Sequence, residues 1–291
     1  MLWKRLITGT ILIAILLAAL WWDQTIGRIS IGIDGAMLPR GIVITGLCLI
    51  VSAMAAYELA KLLCVHGGRP SALLLTAACW ALLILAWGTG TDPGSQPRSG
   101  FAYVLLILGG TWFVSLAWST RSQCTQGAMR DATATVGLAI YIGGMLSFLL
   151  MLRAEVSAWW IAGLVLIVKS CDIGAYFTGM CIGRHKLIPW LSPAKTIEGL
   201  IGGLVTSGLV GWGVLAILGS PTPEPMHAAM AILIGVVLGG AGQCGDLAMS
   251  LLKRDARIKD SSCLLPGMGG VMDVLDSLLL AIPVAWCIIT F

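Results

Sequence analysis

Long apolar runs without a single charge constrain this chain more than any other feature. Eight such runs cover residues 6–22, 41–57, 70–91, 99–120, 132–152, 199–223, 225–245 and 277–291. A ninth, shorter run ends at Val168 but continues through Lys169 and Asp172 in apolar sequence to Ile182. A helix rises about 1.5 Å per residue, so about 20 residues cross the hydrocarbon core of a bilayer, and roughly 17–25 are tolerated. Most of the runs meet that length directly, and the last does so if it begins near Val271. Only 11% of the 291 residues are charged and 58% are hydrophobic. Helices this apolar on every face could not present a wet surface, whereas lipid suits them once each satisfies its own backbone. The expected fold is all-α, a polytopic membrane bundle of about nine spans forming one integral membrane domain over 1–291.

The basic residues orient that bundle. With the N-terminus cytoplasmic, the inner side carries Lys4, Arg5, Lys61, Arg69, Arg121, Arg130, Arg184, Lys186, Lys195, Lys253, Arg254, Arg257 and Lys259. The outer side carries Arg28, Arg40, Arg98 and Arg153, and Lys169 lies within a span. Thirteen against four is a positive-inside bias, which puts the N-terminus in the cytoplasm and the C-terminus on the far side. Lys4-Arg5 before an apolar run also opens a signal peptide, but no small-residue cleavage site precedes Trp21-Trp22-Asp23, so an uncleaved first span is expected. The nine cysteines are scattered singly, with no C-x-x-C, and indicate neither a zinc site nor a disulfide framework. The net charge of +4 suits a face lying against anionic lipid.

Up to about residue 150 the chain alternates spans and short loops, among them the Pro/Gly-rich turn at 91–100, and motif content is low. No internal repeat of the inverted-repeat transporter kind is present. In the second half, charged residues enter the edges of the spans and cluster in 169–198 and 246–276. A catalytic half is expected over 169–285.

The stronger segment runs from Gly245 to Ser277. Asp246 ends one apolar run, while Asp273 and Asp276 open the next and share a helix face at a spacing of three. The loop between is short enough to bring Asp246 opposite that pair. Carboxylates converging at a membrane surface repel one another unless a cation sits among them. Mg²⁺ uses one or two carboxylates together with waters and substrate phosphates, and paired metals recur in phosphoryl chemistry. Lys253, Arg254, Arg257 and Lys259 stand nearby and could neutralise a triphosphate. Gly267, Gly269 and Gly270 would let backbone approach phosphate oxygens, and the following helix start would aim N–H groups at an anion. A plain positive-inside loop with acids at a helix N-terminus accounts for the basic residues and one acid, but not for the whole set.

In the second segment Lys169 and Asp172 lie three apart inside an apolar span, either as a structural ion pair or as part of a site. Further on, Ser192-Pro193-Ala194-Lys195-Thr196-Ile197-Glu198-Gly199 reads as a helix start, with Ser192 as N-cap and Pro193 at the first helical position. Lys195 and Thr196 would then lie on the first turn, where exposed amides and a cation favour phosphate. An ordinary capped helix is the plain alternative. His185 reads first as a loop histidine, His66 and His227 have no supporting context, and Tyr176 either caps a polar pair or lines a pocket.

At these two segments the sequence resembles the phosphatidate cytidylyltransferases, or CDP-diacylglycerol synthases. The family signature runs S-x-x-K-R-x4-K-D-x5-P-G-H-G-G-x-x-D-R-x-D. Ser250, Lys253, Arg254, Lys259, Asp260, Pro266, Gly267, Gly269, Gly270, Asp273 and Asp276 match it in identity and spacing. Asp172-Ile173-Gly174-Ala175-Tyr176 and Ser192 to Gly199 resemble the family's D-T-G-A-Y and S-P-N-K-T-x-E-G. Met268 stands where the family usually has His, and Val274 where it usually has Arg.

The resemblance implies an integral membrane enzyme that joins CTP and phosphatidate and releases pyrophosphate, with its active site facing the cytoplasm in an inner or plasma membrane. It implies Mg²⁺, as one ion or two, on Asp246, Asp273 and Asp276, and a catalytic set of Asp246, Lys253, Arg254, Asp273 and Asp276. Substrate contacts are expected from Asp172, Ser192, Lys195, Thr196, Glu198, Ser250, Lys259, Asp260, Gly267, Gly269 and Gly270. A homodimer is compatible with the family, and no nucleic-acid partner is expected. A CTP-dependent polyprenol or phytol kinase is the near alternative, and a transporter built around Lys169 and Asp172 a more distant one. The D-G-x-x-A-R pattern of CDP-alcohol phosphotransferases is absent.

Overall fold

The structure, a computed structural model, describes residues 2–26, 30–31, 36–37, 41–64, 70–91, 97–120, 126–221, 226–258, 261–262 and 264–290. Two of the expected site residues, Lys259 and Asp260, lie outside the described residues. Among the described residues nine helical segments are long and apolar enough to cross a membrane, as the charge-free runs require. In chain order the helices are α1 (Leu2–Ile26), α2 (Ile42–Cys64), α3 (Ala72–Thr91), α4 (Pro97–Ser119), α5 (Ala128–Ala139), α6 (Met145–Glu155), α7 (Ala158–Ile182), α8 (Ile197–Leu218), α9 (Ala228–Asp255) and α10 (Met272–Thr290). A π-helical turn, Ile140–Gly144, joins α5 to α6 so that the two form one span. Two small antiparallel pairs complete the described secondary structure, β1 (Ser30–Ile31) with β2 (Ala36–Met37) and β3 (Lys186–Ile188) with β4 (Ser192–Thr196).

The chain divides into two compact units. One comprises Met1–Glu155 with Asp260–Met272, and the other Val156–Lys259 with Asp273–Phe291. The first unit carries α1 to α6. A buried ion pair lies within it, in which Arg153 Nε donates to Asp23 Oδ2 at 2.8 Å with both side chains almost fully buried. Asp23 also accepts from the Val43 amide at 3.1 Å, closing a bond at the start of α2 that the helix cannot close itself.

In the second unit α7, α8, α9 and α10 pack through small residues, because lipid supplies no hydrophobic drive between helices and close backbone contact must do so instead. A Cβ on Gly203 of α8 would lie 2.7 Å from the Cys171 carbonyl oxygen of α7. One on Gly211 of α8 would lie 2.8 Å from the Ala231 carbonyl oxygen of α9. On Gly235 it would overlap the Ser207 carbonyl oxygen, and on Gly245 the Asp276 carbonyl oxygen. These contacts hold α8 against α7 and α9, and α9 against α10.

The start of α8 differs from the sequence expectation. Ser192 to Thr196 form strand β4, not a first helical turn, and the helix begins at Ile197. The N-cap is Thr196, whose hydroxyl accepts from the Gly199 amide at 3.1 Å. Both Ser192 and Thr196 have cap chemistry. The hairpin decides between them, since β3 pairs with β4 and the Ile197 amide donates to the His185 carbonyl at 2.9 Å. At the other apolar boundary, α9 runs past Asp246 to Asp255, with Lys253 and Arg254 in its last turn, where cations complement the helix dipole.

Candidate active site

A cleft of about 340 Å³ opens among α7, the β3–β4 hairpin, α8 and α9. Its lining includes the polar Asp172, Lys195, Gln243 and Asp246 together with Tyr176, Met180, Leu187 and Leu200. Lys195, at the end of β4, places Nζ 2.6 Å from Asp246 Oδ2 and donates to Gln243 Oε1 at 3.0 Å. Gln243 Nε2 in turn donates to Asp172 Oδ1 at 2.7 Å. Lys169 lies 3.5 Å from Asp172 Oδ2 and donates to Ser277 Oγ at 2.7 Å. One connected network therefore runs from α10 through α7 and α9 to β4. Lys169 and Asp172 are paired, and Tyr176 lines the cleft.

Asp246 of α9 and Asp276 of α10 are neighbours across the contact in which Gly245 lies against the Asp276 backbone. Asp276 is buried and accepts from the Ser277 amide at 2.6 Å. Asp273, one turn before it, is paired with Lys253 at 2.7 Å, and both are mostly buried. Arg254 is exposed and reaches the Leu191 carbonyl at 3.5 Å, the outer limit of a hydrogen bond. Ser250 is half-buried on α9, one turn from Asp246.

Among the described residues no three acids, histidines or cysteines are grouped to hold a metal by themselves. Two neighbouring carboxylates still fit Mg²⁺, which takes one or two protein carboxylates and fills its remaining positions with water and substrate phosphate.

Glu198 takes a different place from the cleft residues. Its carboxylate accepts from the amides of Arg184 at 3.1 Å and His185 at 3.2 Å, and lies 2.6 Å from His185 Nδ1. It fastens the entry to the hairpin and so sets where Lys195 emerges.

The glycine-rich turn belongs to the first unit. Gly267 and Gly269 have φ of 84° and 96°, a region that L side chains rarely adopt, and Leu265 pairs with Gly269. The anion at the start of α10 is a side chain of this chain. Glu58 of α2 accepts from the amides of Val271 at 2.8 Å and Met272 at 3.0 Å. The expectation that these amides face a substrate phosphate is thereby corrected, because a buried carboxylate already occupies the helix start. Met268, at the position of the family His, has its sulfur 4.0 Å from where a Cβ on Gly9 would stand.

Gln243 and Glu58 are the two polar residues that the sequence reading missed. Gln243 is uncharged within an apolar run, and its spacing of three from Asp246 was the available signal. Glu58 ends the run 41–57 and looked like an ordinary span boundary.

Polar side chains from three apolar helices and strand β4, joined in one network beside a cleft of mixed lining, mark a helical membrane protein with a candidate site among its helices. The family model described as the cytidylyltransferase family matches residues 3–291. The chain is 30% identical over 280 residues to a Mycobacterium bovis phosphatidate cytidylyltransferase, covering 94% of this chain and 88% of that protein. The Mycobacterium tuberculosis H37Rv protein of the same name is 30% identical, with 94% and 82% covered. An Escherichia coli K12 protein named uncharacterized protein YnbB is 32% identical over 282 residues, with 93% and 85% covered. The chain belongs to the cytidylyltransferase family, and is thus a membrane-embedded nucleotidyltransferase.

Proposed function

We propose that the chain transfers the cytidylyl group of CTP to phosphatidate, leaving CDP-diacylglycerol in the bilayer and releasing pyrophosphate. The carrying observation is the mixed lining of the cleft, in which the charged and polar Lys195, Asp246, Gln243 and Asp172 occur together with Tyr176, Met180, Leu187 and Leu200. A substrate with a phosphate head and acyl tails offers both chemistries. The names of the mycobacterial relatives support the choice of lipid.

In this reading a phosphatidate oxygen forms a bond to the α-phosphorus of CTP. The bond from that phosphorus to the β-phosphate bridging oxygen breaks, and its electrons leave with pyrophosphate. A phosphate anion needs little deprotonation, so orientation and charge stabilisation carry the rate. Lys195, Lys253 and Arg254 offset the negative charge of the triphosphate. Asp172 and Gln243 hold the Lys195 ammonium in place through the observed bonds. Asp246 and Asp276 would hold Mg²⁺, while Asp273 stays paired with Lys253, and the metal when bound would neutralise phosphate charge. The site faces the cytoplasm, where CTP is found, in keeping with the positive-inside bias.

Asp246→Asn tests the assignment. The variant is expected to retain its helical content in detergent and to lose CTP turnover by at least about a hundredfold, the scale of removing a transition-state charge contact. Near-normal turnover would remove Asp246 from the site.

A further inference from the structure

We propose that Glu58 is a positioning residue for the reaction, holding the backbone that enters α10 so that Asp273 and Asp276 stand where the chemistry needs them. This rests on the reading of those two acids given above. Glu58 is 1% exposed, in a helix that is otherwise apolar over most of its length. Burying a carboxylate is costly unless it is fully hydrogen-bonded. Here four donors come to it, and all of them belong to one segment more than two hundred positions away in sequence. Ser262 Oγ donates at 2.5 Å, Ser261 Oγ at 3.0 Å, and the amides of Val271 and Met272 at 2.8 and 3.0 Å.

The segment is shaped around this carboxylate. A Cβ on Gly270 would overlap Ser261 Oγ and the Glu58 carboxylate, so only glycine allows the approach. The turn before it is closed by the Leu265 amide donating to the Gly269 carbonyl at 2.8 Å, and Thr8 Oγ1 of α1 donates to the Pro266 carbonyl at 2.8 Å. The last anchored residue is Met272, the next is Asp273, and Asp276 follows one turn later in the same helix. Amides at a helix start have no partner within the helix, and a negative charge there is favoured by the helix dipole. Glu58 therefore fixes both the first residue and the beginning of the helix that presents the acids. It touches neither acid and no substrate group is assigned to it. Its action is through the backbone.

The test is Glu58→Gln in the full-length protein in detergent, which keeps the volume but turns an amide N–H₂ towards groups that are themselves donors. Hydrogen exchange over residues 264–272 reads the anchor, with at least about tenfold faster exchange expected at Val271 and Met272. Binding of Mn²⁺, used as a probe for Mg²⁺ and followed by electron paramagnetic resonance, reads the acids without any turnover. Its affinity is expected to fall about 10–100-fold, the range seen when partners behind metal ligands are removed. The Mg²⁺ concentration for half-maximal CTP turnover should rise in step. Glu58→Asp should recover part of each effect, and Ser262→Ala, which removes one of the four bonds, should show a smaller change of the same sign.

Unchanged exchange at Val271 and Met272 would overturn the anchor. Faster exchange with unchanged Mn²⁺ affinity and unchanged turnover per folded protein would make Glu58 structural only, and overturn its positioning role. A wild-type protein that bound Mn²⁺ in a Glu58-dependent way but did not consume CTP would instead contradict the proposed reaction.

Discussion

Lys195 ties the hairpin to α9, since its ammonium meets Asp246 and Gln243 at once and Gln243 passes the contact to Asp172. Lys195→Met removes that charge while keeping the aliphatic stem, and leaves Asp246 without this cation. The expected result is a fall in kcat/KM for CTP of roughly 10²–10³-fold, as for loss of one preorganised charge contact. Lys195→Arg should recover only part, because a planar fork cannot occupy the position of a compact ammonium. Steady-state turnover of the two variants checks this, and a Lys195→Met enzyme within threefold of wild type would contradict it. Charged residues of this network were legible in the sequence because a charge within an apolar span stands out on cost alone. Gln243 was not, since an amide in such a run breaks no pattern. Thr196 was passed over as a cap because Ser192-Pro193 has the same chemistry four residues earlier, and only the hairpin distinguishes them.

At the scale of elements, the candidate site depends on close packing of α7, α8, α9 and α10, which brings polar residues of α7, α9 and α10 together with Lys195 of β4. Gly235 of α9 is the most direct probe, lying against the backbone of Ser207 and Gly208 on α8 and lining no part of the cleft. Gly235→Leu must separate the two helices, and overpacking of this kind costs about 1–3 kcal/mol. A lower Tm in detergent is expected, together with lower activity because Lys195 and Asp246 lie on elements the two helices carry. An unchanged Tm would mean that the α8–α9 contact is looser than described. The spans themselves were fully legible, since length and hydropathy fix a transmembrane helix without reference to its neighbours. The β3–β4 hairpin was not. Its strands are three and five residues long, and their pairing depends on Glu198 gathering the amides of Arg184 and His185.

For the whole molecule, the proposed cytoplasmic orientation of the site follows from the distribution of Lys and Arg alone. Sealed inside-out membrane vesicles should consume added CTP and right-side-out vesicles should not until permeabilised. The reverse pattern would invert the orientation. The reaction itself is tested most directly by following each phosphorus of CTP with purified protein, phosphatidate and Mg²⁺. With the α-phosphate labelled, the account predicts label in a lipid whose mass is that of CDP-diacylglycerol, and with the γ-phosphate labelled, label in pyrophosphate only. Label from the γ-phosphate in the lipid, with CDP released, would identify a lipid kinase and contradict the cytidylyl transfer proposed here.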